Sequence, residues 1–394
     1  MNLISIIIPT TRPENETLGS FFTFKVPKGW DLEYIFIIDD PSKDLDNLES
    51  LIKKFPKYDI NIVKNPENLG VSASRNIGID NSKGDFILTL DDDCILNSNL
   101  IEEYIRAYNE DPDHPGYIGL TSAPDPQTSF EKAICLSDMR YFFEIALHKE
   151  HFYWGITANL FLKRSAIGDI RFSSEHPKKG GGEDIDFCLR ILRNYNGHHS
   201  TNIINRKNTK KFKCVPEAEV EHPFWDENLK GYKRFYRWGY GDVILHNNHP
   251  DHRFHQFPNL IEFSFVSLLF ILLIYGFIIP FNNILIRLQV GLIFISLCFC
   301  FYFTWESTCE ALKLKHNKRR FTFIPLVKAV IIRQLNDLGR FIHQFPKIWK
   351  FTNRWDYFCT GESLAYETKT AATKFLGFLT IFVVLEFLFY SFIP

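Results

Sequence analysis

Residues 86–93 read FILTLDDD, and this stretch decides the fold class of the chain. A continuous apolar run indicates a strand that is buried on both faces, as in a parallel sheet. Three carboxylates follow at the carboxyl end of that strand. The sequence therefore predicts a sheet with acidic side chains at the edge where its strands end.

Three further apolar runs predict strands of the same kind, at residues 3–8, 34–38 and 60–63. Between the second and third of them, large apolar residues recur at helical spacing over residues 45–55. Strands that alternate with helices indicate a doubly wound domain. We therefore predict an α/β, Rossmann-like, mostly parallel sheet with helices on both faces.

The strand ends carry the chemistry. The first run leads into Thr10, the second ends at Asp39 and Asp40, and the fourth ends at residues 91–93. Ligands of open parallel sheets bind beyond the carboxyl ends of the strands. So many carboxylates in one small site need a cation, and oxygen ligands suit Mg²⁺ or Mn²⁺ bridged to substrate phosphates. A turn or helix-cap role is the alternative for any single Asp.

Composition excludes several classes of protein. The 394 residues include 45 Lys and Arg against 46 Asp and Glu, so no excess of positive charge indicates a nucleic-acid partner. Hydrophobic residues make up 45% and aromatic residues 16%, which excludes a disordered chain. The sequence has neither a GxxxxGK[ST] nor a GxGxxG loop, so it lacks the common phosphate-binding loops.

The composition changes near residue 250, which predicts an N-terminal domain over residues 1–250 and a membrane region over residues 251–394. Apolar runs at about 261–280, 284–305 and 375–393 are close to the length of about 20 residues that spans a bilayer. We predict three transmembrane helices there, with buried core helices as the alternative.

The segment over residues 306–374 is rich in Lys and Arg and is interrupted by apolar residues. Positive charge places this segment, and with it the N-terminal domain, in the cytoplasm. The spacing of its apolar residues is typical of an amphipathic helix at a membrane surface. The prediction is a multi-pass protein of the cell membrane that contacts membrane lipids.

Five motifs occur in an order that resembles the family-2 glycosyltransferases of the GT-A fold. They are SIIIPT (5–10), IDD (38–40), NLGVSASRNIG (68–78), LDDD (90–93) and GEDIDF (182–187). The likeness covers about residues 3–245 and is to the membrane-anchored bacterial type. It implies a nucleotide-diphosphate sugar as donor and Mg²⁺ or Mn²⁺ as cofactor.

The resemblance also implies roles in donor binding. Thr10, Asp39 and Asp40 would frame the base and ribose of the donor, and Arg75 would approach the donor from the Asn-Leu-Gly loop. A surface salt bridge is the alternative role of Arg75.

A metal site follows from the same resemblance. Asp93 would be a direct metal ligand, and Asp91 would contact the ribose or the metal. His222 matches a position where some relatives bind metal, although a hydrogen-bonded structural histidine is the alternative. Asp92 occupies the variable middle position and receives no role.

Asp184 becomes the expected general base, which takes the proton of the acceptor hydroxyl during an inverting transfer. Glu183 would hold the acceptor or orient the base, and the two roles are interchangeable. Without the resemblance, both carboxylates are ordinary residues of a helix N-terminus.

Acceptor contacts are expected from two further segments. Trp154 is a candidate sugar platform, with core packing as the alternative. Arg237 and Trp238 match the end of the QxxRW motif of processive synthases, but Arg234 stands where that motif has Gln. Arg237 would contact the diphosphate or a lipid-linked pyrophosphate acceptor.

The predicted function is a membrane-bound, metal-dependent, inverting glycosyltransferase. It would transfer a single sugar to a lipid-linked or growing glycan acceptor, such as a polyprenyl-linked one, at the cytoplasmic face. The alternatives are a processive polysaccharide synthase, a polyprenyl-phosphate sugar transferase, and a non-catalytic sugar-nucleotide-binding scaffold.

Overall fold

The computed structural model describes residues 2–197, 209–273, 284–316, 323–345, 352–359 and 364–391. The chain divides into two compact units. The first unit comprises Met1–Gln127 and Asp138–Asp251, and the second comprises Thr128–Ser137 and His252–Pro394.

The first unit is built around one sheet. Its strands are β1 (Asn2–Thr10), β2 (Trp30–Ile38), β3 (Asp59–Lys64), β4 (Phe86–Leu90), β5 (Ile95–Leu96), β6 (Gly116–Ser122), β7 (His151–Phe152), β8 (Asn159–Lys163) and β9 (Phe212–Glu221). The helices up to residue 250 are α1 (Asp46–Ile52), α2 (Val71–Asp80), α3 (Leu100–Glu110), α4 (Ser129–Leu136), α5 (Arg164–Ile167), α6 (Glu183–Tyr195) and α7 (Leu229–Asn248). Short 3₁₀ helices lie at Glu16–Phe22, Tyr141–Leu147 and Pro250–His252. All of these helices belong to the first unit except α4, which is part of the second, and the 3₁₀ turn at 250–252, which straddles the boundary.

The strands follow the order β3-β2-β1-β4-β8-β6-β9-β5, and β7 also pairs with β9. β1, β2, β3 and β4 pair in parallel, as the sequence predicts. β8 runs antiparallel to both β4 and β6. The sheet is therefore mixed, and the parallel half is the one whose strands end in the acidic motifs.

Burial explains why the apolar runs form strands. Ile4, Ile6 and Ile8 of β1 are fully buried in one core with Tyr34 and Leu88 of the neighbouring strands. Ile7 on the opposite face of β1 is also fully buried. A strand that is covered on both faces needs apolar residues at successive positions, which is the pattern of β1.

The second unit is mainly helical. It contains α4, α8 (Leu260–Leu273), α9 (Ile284–His316), α10 (Phe323–Gln344) and α11 (Leu364–Ser391), with an antiparallel pair of strands, β10 (Arg253–His255) and β11 (Asn353–Trp355). Phe263, Phe294, Cys298, Val330 and Phe378 form its core.

Polar contacts fix α4 to α10 inside this unit. The ammonium of Lys328 donates to the hydroxyl of Ser129 at 2.6 Å, and the guanidinium of Arg333 donates to the carbonyl of Leu136 at 2.7 Å. α4 is therefore held by both of its ends, although it interrupts the sequence of the first unit.

The structure does not support the predicted membrane spans. Within the described ranges, no helix combines the length and the apolar character needed to cross a bilayer. This applies to the spans expected at 261–280, 284–305 and 375–393. Residues 274–280 and 392–393 of those spans lie outside the described residues.

Candidate active site

The ends of β1, β2 and β4 bring the predicted donor residues to one edge of the sheet. Thr10 pairs in register with Ile38, the residue before Asp39. Ile7 pairs with Thr89, which places Thr10 level with the acidic triplet after β4. The hydroxyl of Thr10 donates to a carboxylate oxygen of Asp92. Residues that are 82 positions apart in sequence are thereby in contact.

Asp91, Asp93 and His222 form a cluster suited to a divalent cation. One ligand atom of each lies within 4.8 Å of the others. His222 Nε2 is 3.6 Å from Asp93 Oδ1 and 3.9 Å from Asp91 Oδ2. His222 reaches this position because its backbone N–H donates to the carbonyl of Ser122 at 3.0 Å, just beyond the paired ends of β6 and β9.

Hydrogen bonding defines which nitrogen of His222 faces the carboxylates. Nδ1 lies 2.7 Å from the carbonyl of Pro223, so Nδ1 carries the proton in the neutral ring. The lone pair of Nε2 then points towards Asp91 and Asp93. Asp93 Oδ1 is buried and accepts no hydrogen bond from the described residues. Three possible ligand atoms that converge in this way fit Mg²⁺ or Mn²⁺.

Asp92 organises this edge, a role that the sequence analysis missed. Its carboxylate accepts from Thr10 and pairs with the guanidinium of Arg12. Its backbone carbonyl accepts from Asn15 at 2.9 Å and from Thr17 at 2.8 Å. Burial raises the pKa of Asp92, and the bonds from Arg12 and Thr10 oppose that rise. Asp92 therefore ties the loop after β1 to the end of β4.

Arg12 brings a positive charge to the metal cluster. It pairs with Asp92 and lies 3.1 Å from Asp93 Oδ2. Although burial acts in the opposite direction, the two carboxylates raise the pKa of Arg12. A cation directly after the first strand, in the sequence Pro9-Thr10-Thr11-Arg12, was the signal that could have identified it.

Asp39 holds the Asn-Leu-Gly loop. Its carboxylate accepts from the side chain of Asn65 at 2.8 Å and from the backbone N–H groups of Leu69 and Gly70 at 2.8 and 2.9 Å. Asp40 is more exposed and accepts from the hydroxyl of Ser42 at 2.6 Å, which lowers its pKa. Asp39 thus shapes the donor side of the site through the backbone.

Arg75 joins the two halves of the site. Its buried guanidinium lies 3.0 Å from Asp91 Oδ1 and 3.5 Å from Glu183 Oε1. Residues 91 and 183 come from different elements, after β4 and at the start of α6. The guanidinium of Arg75 therefore contacts both the candidate metal cluster, through Asp91, and the later acidic motif, through Glu183.

The glycines before α6 allow the acidic motif to lie against α7. Gly181 and Gly182 have positive φ angles of 150° and 82°, a region that favours glycine. A Cβ atom on Gly181 would lie 3.0 Å from the carbonyl oxygen of Arg237, and one on Gly241 would collide with the Gly181 backbone. The carboxylate of Glu183 accepts from the N–H of Gly181 at 2.6 Å, which closes this turn.

Asp184 has the properties of a general base. Burial and the neighbouring charge of Glu183 raise the pKa of Asp184 to about 7. Its Oδ1 accepts from the N–H of Ile185 at 2.9 Å. A carboxylate with a raised pKa near the operating pH is suited to accept a hydroxyl proton.

Asp186, two residues further on, fixes α6. Its carboxylate accepts from His249 Nε2 at 2.8 Å and from Arg190 at 2.6 Å. Although burial acts to raise it, these bonds lower the pKa of Asp186 to about 2. Because His249 follows α7, this pair holds the start of α6 against the end of α7.

α7 carries two arginines, Arg234 and Arg237, three residues apart. The Arg234 guanidinium lies 4.6 Å from the ring centre of Trp225, whose ring is 6.1 Å from that of His222. Burial, reinforced by Arg237, lowers the pKa of Arg234 to about 10. Burial also lowers the pKa of Arg237, opposed by Glu183. The pair brings positive charge towards the acidic residues of the site.

Aromatic residues surround this helix. Trp238 contacts Trp225 edge to face, with ring centres 5.4 Å apart. Trp154, the expected sugar platform, is 4% exposed and packs 5.0 Å from Phe142. Its burial corresponds to the packing alternative that the sequence left open.

Residues 5–169 match the model of the family described as "Glycosyl transferase family 2". This part of the chain, which contains the parallel half of the sheet and its acidic edge, is therefore similar to family-2 glycosyltransferases. Four of the five motifs that predict this family lie within the matched residues, and GEDIDF (182–187) lies outside them.

Two curated relatives show the extent of the likeness. An uncharacterized glycosyltransferase of Haemophilus influenzae is 25% identical over 205 residues, which are 48% of this chain and 62% of that protein. A hyaluronan synthase of Streptococcus pyogenes is 24% identical over 144 residues, 35% of this chain and 33% of the synthase. The chain thus spans less than two thirds of the length of these relatives.

Two solved structures are also similar. A mannosyltransferase from Pyrobaculum calidifontis, in complex with GDP-Man and Mn²⁺, is 12% identical with a TM-score of 0.42, covering 60% of this chain and 61% of that one. Residues 1–349 of Staphylococcus aureus TarS are 14% identical with a TM-score of 0.39, covering 88% of this chain and 92% of that one.

Proposed function

We propose that this chain is a metal-dependent, inverting glycosyltransferase that transfers a single sugar from a nucleotide-diphosphate sugar to a lipid-linked or growing glycan acceptor. One observation carries the proposal. Arg75 spans Asp91 and Glu183, so the candidate metal cluster and the candidate base Asp184 belong to one site. A transferase needs its metal ion and its general base close enough together for one sugar to contact both.

Asp91, Asp93 and His222 are the residues that would hold Mg²⁺ or Mn²⁺. When bound, such an ion neutralises charge on a diphosphate leaving group. The protein's own residues supply the remaining requirements. Arg12 and Asp92 keep the acidic triplet in place, and Asp39 shapes the loop on the donor side.

Asp184 would take the proton of the acceptor hydroxyl as that oxygen attacks the anomeric carbon. Glu183 is held by Gly181 and Arg75, so it positions the start of α6 beside the base. Attack by the acceptor oxygen on the face opposite the leaving group inverts the anomeric configuration. Arg234 and Arg237 add positive charge on the side where the diphosphate leaves.

Arg234 stands where the processive motif carries Gln, which supports transfer of one sugar. The catalytic domain in this proposal is the N-terminal part, about residues 1–250. The basic segment 306–374 supports a site of action at the cytoplasmic face of the cell membrane. Multi-pass anchoring is not part of the proposal, because no described helix is suited to span a bilayer.

A panel of nucleotide-diphosphate sugars tests this function, with Mg²⁺ or Mn²⁺ supplied and release of nucleoside diphosphate as the readout. We expect turnover with one class of donor and its loss on chelation by EDTA. Asp169→Asn is the matched control, because Asp169 is exposed and outside the cluster. Donor binding without turnover over a broad range of acceptors would indicate a sugar-nucleotide-binding scaffold instead.

A further inference from the structure

A second group of possible metal ligands lies in the first unit, away from the acidic edge of the sheet. Asp111 follows α3, His114 lies in the loop before β6, and His151 is the first residue of β7. One ligand atom of each residue lies within 4.8 Å of the others. We call Asp111, His114 and His151 the histidine cluster.

The histidine cluster and the acidic edge lie at opposite ends of two parallel strands. β6 and β9 pair in parallel from Tyr117 and Lys213 onwards. The histidine cluster lies at this beginning, because His114 precedes β6 and His151 pairs with Lys213. His222 follows the other end of the same strands. The seven residues of β6 separate the two groups by about 20 Å, so they cannot share an ion.

Hydrogen bonding orients His114 in the way that is usual for a metal ligand. Its Nδ1 lies 2.7 Å from the carbonyl oxygen of Lys211, and because a carbonyl only accepts, Nδ1 carries a proton. Histidines that bind a metal usually donate their other ring N–H to a carbonyl or a carboxylate. The ring is buried, with 5% of His114 exposed. Nε2 is therefore the atom that His114 presents to the cluster.

Asp111 faces that nitrogen. Its Oδ2 lies 3.0 Å from His114 Nε2, and its backbone carbonyl accepts from the hydroxyl of Tyr117 at 2.7 Å. A proton on Nε2 fits this spacing, and so does zinc, whose tetrahedral bonds of about 2.0–2.1 Å set ligand atoms roughly 3.3 Å apart. The ammonium of Lys213 is 4.0 Å from the same oxygen. A divalent ion would give Asp111 a closer partner with twice the charge.

His151 approaches the cluster from a different element. Its ring centre lies 5.0 Å from that of His114, with the ring planes inclined by 31°. The pairing of His151 with Lys213 holds β7 beside β9, and the N–H of Cys214 donates to the carbonyl of Glu150 at 2.8 Å. Two imidazoles and one carboxylate are thus brought together by backbone pairing that does not depend on a metal.

We propose that the histidine cluster binds a zinc ion. Zinc takes nitrogen and carboxylate ligands, and a set of three protein ligands leaves its fourth position to water. Imidazole suits zinc, whereas Mg²⁺ prefers oxygen ligands, so this ion differs from the one expected at the acidic edge. The zinc ion would tie the loop after α3 to β7 and would stabilise the sheet at the beginning of β6 and β9.

Calorimetric titration of the full chain with zinc chloride tests the site without any transferase activity. His151→Gln should lose one equivalent of zinc or bind it at least about a hundredfold more weakly, because even residues that only orient a ligand contribute about 10- to 100-fold to metal affinity. His151 is more exposed than His114, so its replacement disturbs the core less. His148→Gln is the matched control, because His148 is exposed and stacks on Tyr141 outside the cluster.

Asp93→Asn separates the two candidate metal sites. It alters the acidic edge and should leave the zinc equivalent of the histidine cluster in place. If His151→Gln binds zinc as the unaltered chain does, the cluster is an ion pair of His114 with Asp111 and the proposal is wrong. Zinc that is lost in Asp93→Asn and kept in His151→Gln would assign the ion to the acidic edge and would also overturn the proposal.

Thermal unfolding supplies a second measurement of the site. In the Asp93→Asn chain, zinc should raise the melting temperature, and adding His151→Gln should abolish that rise, because only a ligand that binds the folded state stabilises it. An equal rise with and without His151→Gln would contradict the site. Circular dichroism shows that each variant is folded before zinc is added. Asp111→Asn, which removes the carboxylate charge from a half-exposed position, should lose the same zinc equivalent.

Discussion

The two units handle charge in opposite ways. In the first unit, Asp93 Oδ1 lies 3.6 Å from His222 Nε2 and accepts no hydrogen bond from the described residues. In the second unit, the deepest carboxylate, Glu262, is fully matched by Arg354 and by the N–H of Asn259. Unsatisfied groups indicate a ligand site, whereas satisfied groups hold a fold together. The acidic edge of the first unit therefore fits a cation, whereas the buried pair of Glu262 and Arg354 stabilises the second unit.

The largest expected effect comes from the metal cluster. Asp93→Asn removes the negative charge of Asp93 and replaces one of its two carboxylate oxygens by an amide nitrogen, so transfer should fall by roughly a thousandfold or more, because a bound metal contributes several kcal/mol to transition-state stabilisation. The measurement is kcat/KM for donor turnover, with Mn²⁺ affinity by calorimetry beside it. Unchanged Mn²⁺ affinity would remove Asp93 from the metal site.

The candidate base comes next. Asp184→Asn should lower kcat by about 10²- to 10⁴-fold and leave nucleoside-diphosphate affinity unchanged, since a base acts on the acceptor proton. In the unaltered chain the base must be deprotonated. Because the pKa of Asp184 is raised to about 7, kcat/KM should rise with pH through about 7 and fall below it. A flat profile between pH 6 and 8 (about one unit either side of that pKa) contradicts this role.

The third expected effect concerns the buried ion pair between Glu262 and Arg354 in the second unit. Glu262→Gln leaves the buried guanidinium of Arg354 without its carboxylate, which should cost about 3–5 kcal/mol of stability in that unit. The measurement is thermal and denaturant unfolding, with nucleotide binding as a readout of the first unit. Adding Arg354→Met removes the orphaned charge and should recover part of the loss. If stability is not recovered, the hydrogen bonds between Glu262 and Asn259 at the start of α8 stabilise the unit, and the ion pair between Glu262 and Arg354 does not.

The smallest expected effect comes from Arg234 on α7, in the first unit. Arg234→Gln restores the residue of the processive motif and should weaken nucleoside-diphosphate binding by about tenfold, while nucleoside-monophosphate binding changes little, because only the outer phosphate would reach α7. Lys230→Gln, an exposed residue of the same helix, is the control. A rise in acceptor KM with unchanged diphosphate affinity would instead place Arg234 on the acceptor side.

The parallel strands and their acidic ends were readable from sequence, because a strand buried on both faces needs a continuous apolar run. Asp91 and Asp93 could be singled out because they follow such a strand, whereas Asp184 was singled out only through the family resemblance. The role of Asp92 could not be predicted, since its partners Thr10 and Arg12 lie about 80 residues earlier. The two partners of Arg75 could not be predicted either, because they are brought together only when the start of α6 packs beside the end of β4.

The membrane spans predicted from hydropathy have no counterpart among the described helices, for a different reason. Apolar runs of similar composition serve as spans or as core helices, and hydropathy alone does not separate them. In the second unit, Phe263, Phe294 and Phe378 pack against one another in a helical core. The sequence shows where the apolar residues lie along the chain, but it does not show which residues they pack against.

The sequence by itself determined the α/β class, the acidic strand ends and the likeness of residues 5–169 to family-2 glycosyltransferases, because these depend on local patterns of side chains along the chain. Only the tertiary structure decided that His222 faces Asp93, that Arg75 joins Asp91 to Glu183, and that Gly181 and Gly182 lie against α7. Those contacts join residues far apart in sequence. They follow from strand register and helix packing, which no short stretch of sequence encodes.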